Sequence, residues 1–153
     1  MIQVRLASVE DVQNIGRYNA AMALETEGLT LDMKRLTKGI EAVFEDHKKG
    51  FYLVVEVDGT VRGSLMVTKE WSDWRNGKFW WIQSVFVEKC SRNQGLYKSM
   101  YNYLLKKVQD SEDVAGIRLY VENDNQVAQE TYKNLGMHKT NYKLYEFSNI
   151  KLD

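Results

Sequence analysis

The stretch VFVEKCSRNQGLYKSM, Val85 to Met100, runs from an apolar, β-branched segment through a polar loop into a helical pattern. Strand, loop and helix in that order leave the N–H groups from about Asn93 to Lys98 unpaired, at the positive end of the helix dipole. A row of such donors is a ready anion site, and a pyrophosphate would need little side-chain help beyond Arg92 or Lys98. The plainer reading is a turn with one glycine, Gly95, in it. The bulky Tyr97 just inside the helix is the feature either reading must accommodate.

Working outward, the helix after the loop covers residues 95–109, with Leu96, Met100, Leu104 and Val108 in one apolar row and Tyr97, Tyr101 and Leu105 in the next. Upstream, IQVRLA alternates as a half-buried strand, and Ser8 N-caps a helix over VEDVQNIGRYNAAMALE. A second helix runs from Asp32 to about Lys48. Asp58-Gly59 joins two β-rich runs as a hairpin, followed by a tryptophan-rich link, WSDWRNGKFWW, and the strand IQSVFV. Downstream come the strand GIRLYV, a short helix capped by Asp124 and stopped by Gly136, and two short strands near 137–140 and 143–147. The resulting order, β-α-α-β-β-β-α-β-α-β-β, predicts an α/β or α+β mixed sheet with helices on both faces. Its strand–helix–strand unit should cross over right-handed.

The 153 residues suit one domain, 1–153, with a real core. Lys+Arg and Asp+Glu both total 21, which argues against a nucleic-acid footprint or a membrane-binding patch. The single cysteine, Cys90, excludes an intramolecular disulfide. No His/Asp/Glu cluster has metal-ligand spacing, so no metal is expected. The N-terminus lacks a signal-peptide pattern, and no apolar run approaches the ~20 residues of a membrane helix, so the expected compartment is the cytoplasm.

A second stretch changes the weight of the first. NQVAQETYKNLGM places Asn125, Ala128, Tyr132 and Gly136-Met137 in a fixed order downstream of Arg92-Asn93-Gln94-Gly95-Leu96-Tyr97. Together they resemble the GNAT superfamily of N-acetyltransferases, whose loop reads Gln/Arg-x-x-Gly-x-Gly/Ala and whose second motif reads Asn-x-x-Ala-x-x-x-Tyr-x-x-x-Gly-Phe. The element order is similar too, so the resemblance spans the chain. Tyr97 departs from the pattern, since the family usually has a small residue there. Its ring is expected to lie along the Tyr97/Tyr101/Leu105 row, leaving only its N–H toward the loop.

The resemblance implies acetyl-CoA as co-substrate, held in a cleft where the fourth and fifth strands splay. Its pyrophosphate would sit on the loop, and its pantetheine arm would pair with the backbone of Val85, Phe86 and Val87. An amine of a small molecule or peptide would attack the thioester directly in a ternary complex. A backbone N–H near Val85 would polarise the carbonyl, Tyr132 would protonate the leaving thiolate, and Asn125 would brace the cofactor arm. For acceptor binding the candidates are Glu25, Glu27, Trp71, Asp73, Trp74 and Gln83; all four tryptophans of the chain fall in the segment around the last four. Gln83 stands where polyamine acetyltransferases carry an acidic residue, which weakens that substrate. Cys90 has no histidine placed to activate it and reads as an incidental thiol. The alternative class is a non-catalytic acyl-CoA-binding module of the same fold, which Tyr97 favours and Tyr132 opposes. A homodimer is left open.

Overall fold

A computed structural model describes residues 1–152. β1 (Ile2–Leu6) leads into a 3-10 turn at Val9–Asp11 and then α1 (Val12–Glu27). The Asp11 carboxylate fixes this junction: it accepts from the Ser8 N–H at 2.8 Å and from the Arg5 guanidinium at 2.8 and 3.1 Å. The first helix thus begins three residues later than the sequence pattern suggests, because the turn that Ser8 starts is wound more tightly than an α-helix. α1 stops at Gly28, whose φ of 65° few other residues tolerate. α2 (Met33–Glu45) is N-capped by the Asp32 carboxylate, which accepts from the Lys34 and Arg35 N–H groups. It ends three residues short of Lys48, and Asp46 there turns outward to bond Lys48 and Lys49.

β2 (Phe51–Val57) and β3 (Thr60–Ser72) form the expected hairpin, with Asp58 and Gly59 both at positive φ, 51° and 82°. The tryptophan-rich segment is not a link. It is a second hairpin, in which β3 runs to Ser72 and β4 (Gly77–Val87) starts four residues beyond Asp73. Asn76-Gly77 is the local signal for it, but the pair is not a two-residue primed turn: Asn76, at φ 48°, ends a four-residue loop from Asp73, and Gly77 already faces Ser72 in the ladder. α3 (Leu96–Gln109), β5 (Val114–Arg118) and α4 (Gln126–Asn134) complete the elements. α4 is capped by Asn125, not Asp124: the Asn125 side chain accepts from the Ala128 N–H at 3.1 Å, and Gly136 at φ 95° closes its other end.

The sheet order is β1-β2-β3-β4-β5, antiparallel throughout except for the parallel β4–β5 pair. Helices cover both faces. On one, Ile15 of α1 and Ile40 and Val43 of α2 bury Tyr52 and Val54; on the other, Leu96, Met100 and Leu104 of α3 bury Leu53, Val55, Leu65 and Val67. Successive β2 residues therefore serve opposite cores, as the period of two requires. The two strands expected near 137–140 and 143–147 do not form. A strand exists only through a partner ladder, and nothing among the described residues pairs with this segment. Among the described residues no helix is long and apolar enough to cross a membrane.

Candidate functional site

Pairing between β4 and β5 runs from Lys78↔Val114 to Trp81↔Arg118 and stops. β4 continues for six more residues, so the backbone of Ile82–Val87 is paired with β3 but open on its β5 side. Within that stretch the register slips: Ser64 faces Phe86 and Met66 faces Gln83, leaving Leu65 opposite both Ser84 and Val85. Ser84 takes φ 53° at this bulge. Bulges bend and twist a strand, and this one falls where the β4–β5 ladder has already ended. The result is an opening beside β4 lined by unpaired backbone.

The loop after β4 ends that opening. Asn93 and Gly95 are both in the left-handed region, at φ 63° and 78°, so the chain curls with its N–H groups inward. The N–H groups of Asn93, Gln94 and Gly95 donate to nothing among the described residues, and those of Leu96, Tyr97 and Lys98 belong to the first turn of α3; the first helical bond is Ser99 N–H to Gly95 O, 3.0 Å. A β-carbon on Gly95 would meet no neighbour within 4 Å, so the glycine is there for its backbone angle and not for space.

Two clamps hold this loop against α1. Arg92 donates to the Val87 carbonyl at 2.9 Å and to both Glu25 oxygens at 2.7 and 3.1 Å. Its hydrogen bonds hold the Glu25 carboxyl below its ordinary pKa despite a small opposing effect of burial. Seven residues earlier on α1, the Tyr18 hydroxyl donates to Glu88 at 2.8 Å, and Arg62 donates to the other Glu88 oxygen at 2.9 Å. Burial opposes ionisation of Glu88, but the bonds from Arg62 and Tyr18 outweigh it and keep the carboxyl below the usual range. Tyr18 also stacks on Phe86, centroids 5.3 Å apart. The sequence reading missed Tyr18, Arg62 and Glu88, because partners 26 to 70 residues apart leave no local signature.

Tyr97 points its ring away from the loop, into a cluster with Tyr101 and, edge-on, Tyr132 at 5.9 Å. Burial, and after it the neighbouring Tyr132, pushes the Tyr97 pKa up; its hydroxyl is buried with no partner. Burial raises the Tyr132 pKa too, so this side chain is a protonated donor across the neutral range. The Tyr132 hydroxyl makes no hydrogen bond among the described residues.

On the other side of the bulge lies a cavity of about 370 Å³ between α1, α2 and the sheet. Its walls include Ser84 of the bulge, Asn19, Thr26, Glu27, Tyr52 and Met66. Burial pushes the Tyr52 phenol up to about 12. Of the acceptor candidates, only Glu27 lines this space. Glu25 is tied to Arg92, and the Gln83 amide donates to Thr68. Trp71, Asp73 and Trp74 sit at the far hairpin, with Trp74 88% exposed; Gly77 and Ser84 are seven residue steps apart along β4, about 23 Å. The structure does not bring them to the cleft. A second cavity, about 310 Å³ between Phe51, Trp80 and Tyr103, contains no loop residue.

A sequence model of the Acetyltransferase (GNAT) family matches residues 18–137, which includes the bulge, the loop and Tyr132. The chain belongs to the GNAT acetyltransferase family. Among solved structures, this GNAT chain is similar to a possible acetyltransferase from Clostridium difficile 630, at 43% identity over 99% of either chain and a TM-score of 0.91. It shares its fold with glucosamine-6-phosphate N-acetyltransferase from Arabidopsis thaliana, at 19% identity over 96% of this chain and 98% of that one, TM-score 0.71. It also shares its fold with a predicted acetyltransferase with acetyl-CoA from Clostridium acetobutylicum, at 17% identity over 96% of each chain, TM-score 0.76. No functionally curated protein matches the sequence.

Proposed function

We propose that this chain is an N-acetyltransferase that moves the acetyl group of acetyl-CoA to an amine of a small molecule or peptide. The observation that carries the reading is the continuity between the free N–H groups of Asn93–Lys98 and the backbone of Ile82–Phe86, which is unpaired on its β5 side. The first suits a diphosphate. The second suits an amide-bearing pantetheine arm, which would add to β4 as a strand does. Neither needs a side-chain cation, which fits Arg92 being occupied by Glu25.

In this reading the amine reaches the bulge from the cavity lined by Asn19, Glu27 and Tyr52. Its nitrogen bonds to the thioester carbon, with a backbone N–H near Val85 stabilising the negative charge on oxygen. Collapse breaks the carbon–sulfur bond, and the Tyr132 hydroxyl gives its proton to the leaving thiolate. The proton lost by the amine passes to water in the cavity. Asn125 supports the arrangement from the N-terminus of α4, its amide oxygen being used on Ala128. Tyr97, turned toward Tyr101 and Tyr132, leaves the loop N–H groups accessible to the phosphates, which removes the obstacle its bulk posed.

The test is free-thiol release from acetyl-CoA across a panel of polyamines, amino acids, aminoglycosides and peptides, alongside calorimetric titration with CoA. Turnover with any acceptor supports the proposal. Tight CoA binding without turnover would leave an acyl-CoA-binding module, and no CoA binding would sink both readings.

A further inference from the structure

The cavity of about 310 Å³ between the sheet and the second half of α3 has no part in the acetyl-transfer reading. Phe51 of β2, Lys69 of β3 and Trp80 of β4 line it from the sheet, and Tyr103, Leu104 and Lys107 line it from α3. Lys107 lies eleven residues along α3 from Leu96, about 16 Å. This space is therefore separate from the loop that would hold a diphosphate, and it lies on the sheet face opposite the cavity beside α1 and α2.

Its body is apolar and its charge has one sign. Leu104 is fully buried, and Phe51 meets Trp80 edge-on with ring centroids 5.2 Å apart. Lys69 donates to the His47 carbonyl at 3.2 Å, and the Lys107 ammonium stands 5.5 Å from the Tyr103 ring centroid. No carboxylate lines the space. Neither lysine forms an ion pair among the described residues, because the acids around them are taken: Asp46 accepts from Lys49 at 3.3 Å and Asp113 from Lys78 at 3.1 Å. The Lys78 bond is the main reason the Asp113 carboxyl lies below its ordinary pKa, and the charge of Lys69 adds least.

Two cations without a counter-charge beside one apolar cavity repel each other, and an anion placed there removes that cost. The other polar groups suit the same ligand: the Trp80 indole N–H and the Tyr103 hydroxyl bond to nothing among the described residues, and both can donate. Ligand sites combine an apolar body with a few placed polar groups, and this volume is at the lower end of their range, about 300 Å³. One ring or a short chain fills it. An amine would be repelled by the lysines, and a neutral molecule would leave them unpaired.

We propose that this cavity is a second ligand site, one that takes a small amphiphilic anion: a carboxylate carried on a single ring or a short chain. The carboxylate accepts from Lys69 and Lys107, and the apolar body lies against Phe51, Trp80 and Leu104. The proposal is independent of the acetyl-transfer reading, since no residue of the loop, the bulge or the acceptor cavity takes part in it.

Calorimetry on the full chain with 3-phenylpropionate, indole-3-acetate and octanoate should give saturable binding for at least one acid, with a Kd of about 1 mM or below. The uncharged 3-phenylpropan-1-ol, and acetate as the head alone, should each bind about tenfold more weakly or worse. Lys69→Met with Lys107→Met keeps the apolar stems and removes both charges. That variant should bind the acid about tenfold more weakly or worse while its melting temperature holds. In the wild-type chain, nuclear Overhauser contacts from the ligand's protons should reach Tyr103 and Leu104, which locates the site without any substitution. No saturable binding by any of the three acids overturns the proposal. So does equal binding of the alcohol, an unaltered affinity in the double variant, or contacts to Ile40 and Val43 of the other cavity instead.

Discussion

The two ends of β4 are built from the same kind of residues and serve different purposes. From Lys78 to Trp81 the strand is paired on both sides, to β3 and to β5, and its backbone is spent on the sheet. From Ile82 to Val87 one side is free, a bulge bends the strand at Ser84, and two clamps to α1 hold the loop that follows. Under the proposed function the chemistry gathers where the sheet withholds a partner. The aromatic-rich end, with Trp71 and Trp74 exposed on its hairpin, lies away from that opening.

The sharpest way to break that contrast is Tyr132, which packs edge-on against Tyr97 at the start of α3. Tyr132→Phe should lower kcat by about 10- to 1,000-fold with little change in the KM for acetyl-CoA, since a thiolate departs even without full protonation. Full activity with an acceptor whose chemical step limits turnover would return Tyr132 to the aromatic cluster it shares with Tyr97.

Next in size is the loop. Gly95→Val forces a β-branched residue to φ 78°, where it is a genuine outlier. CoA affinity should fall about tenfold or more as the N–H row rearranges, a loss of ~1.4 kcal/mol or greater. Unchanged affinity in calorimetry would move the phosphate site elsewhere.

The clamp makes a smaller, pH-dependent difference. Glu88→Gln removes a carboxylate that accepts from Tyr18 and Arg62, and should cost about 2 kcal/mol near neutrality. The folded-state pKa of Glu88 is depressed. Its contribution is therefore complete above the unfolded pKa of about 4.3 and fades as pH falls through the lower folded value. Wild type and variant should converge in chemical denaturation as pH drops below about 4. A gap that stays constant with pH would mean that the carboxylate charge is not what Glu88 contributes.

The smallest effects test the buried and exposed aromatics. Tyr97→Phe removes a buried hydroxyl without a partner, so stability should hold or rise by about 1 kcal/mol; a clear loss would reveal a bond the hydroxyl makes. Trp74→Ala, at the exposed hairpin, should leave stability within about 0.5 kcal/mol and activity intact. Lost turnover there would restore the tryptophans to the acceptor site.

Much of this was legible in the residues themselves. Period-two and helical patterns, Asp58-Gly59, Asp32 and Gly136 are signals read within a few residues, and they located β1 to β3, α2 and the end of α4. The strand–loop–helix around Gly95 and the spacing to Tyr132 point to the family from the sequence alone. Elements whose form depends on a distant partner escaped. The bulge at Ser84 exists because Leu65, nineteen residues earlier, meets two residues at once. Glu25 looked like an acceptor ligand until Arg92, sixty-seven residues away, claimed it. The segment after Met137 has the pattern of two strands in its sequence and no ladder among the described residues, because a strand is a relation between two segments and its own sequence names only one of them. Local propensity names what a segment is able to become; only the tertiary arrangement decides which backbone groups find partners and which are left free for chemistry.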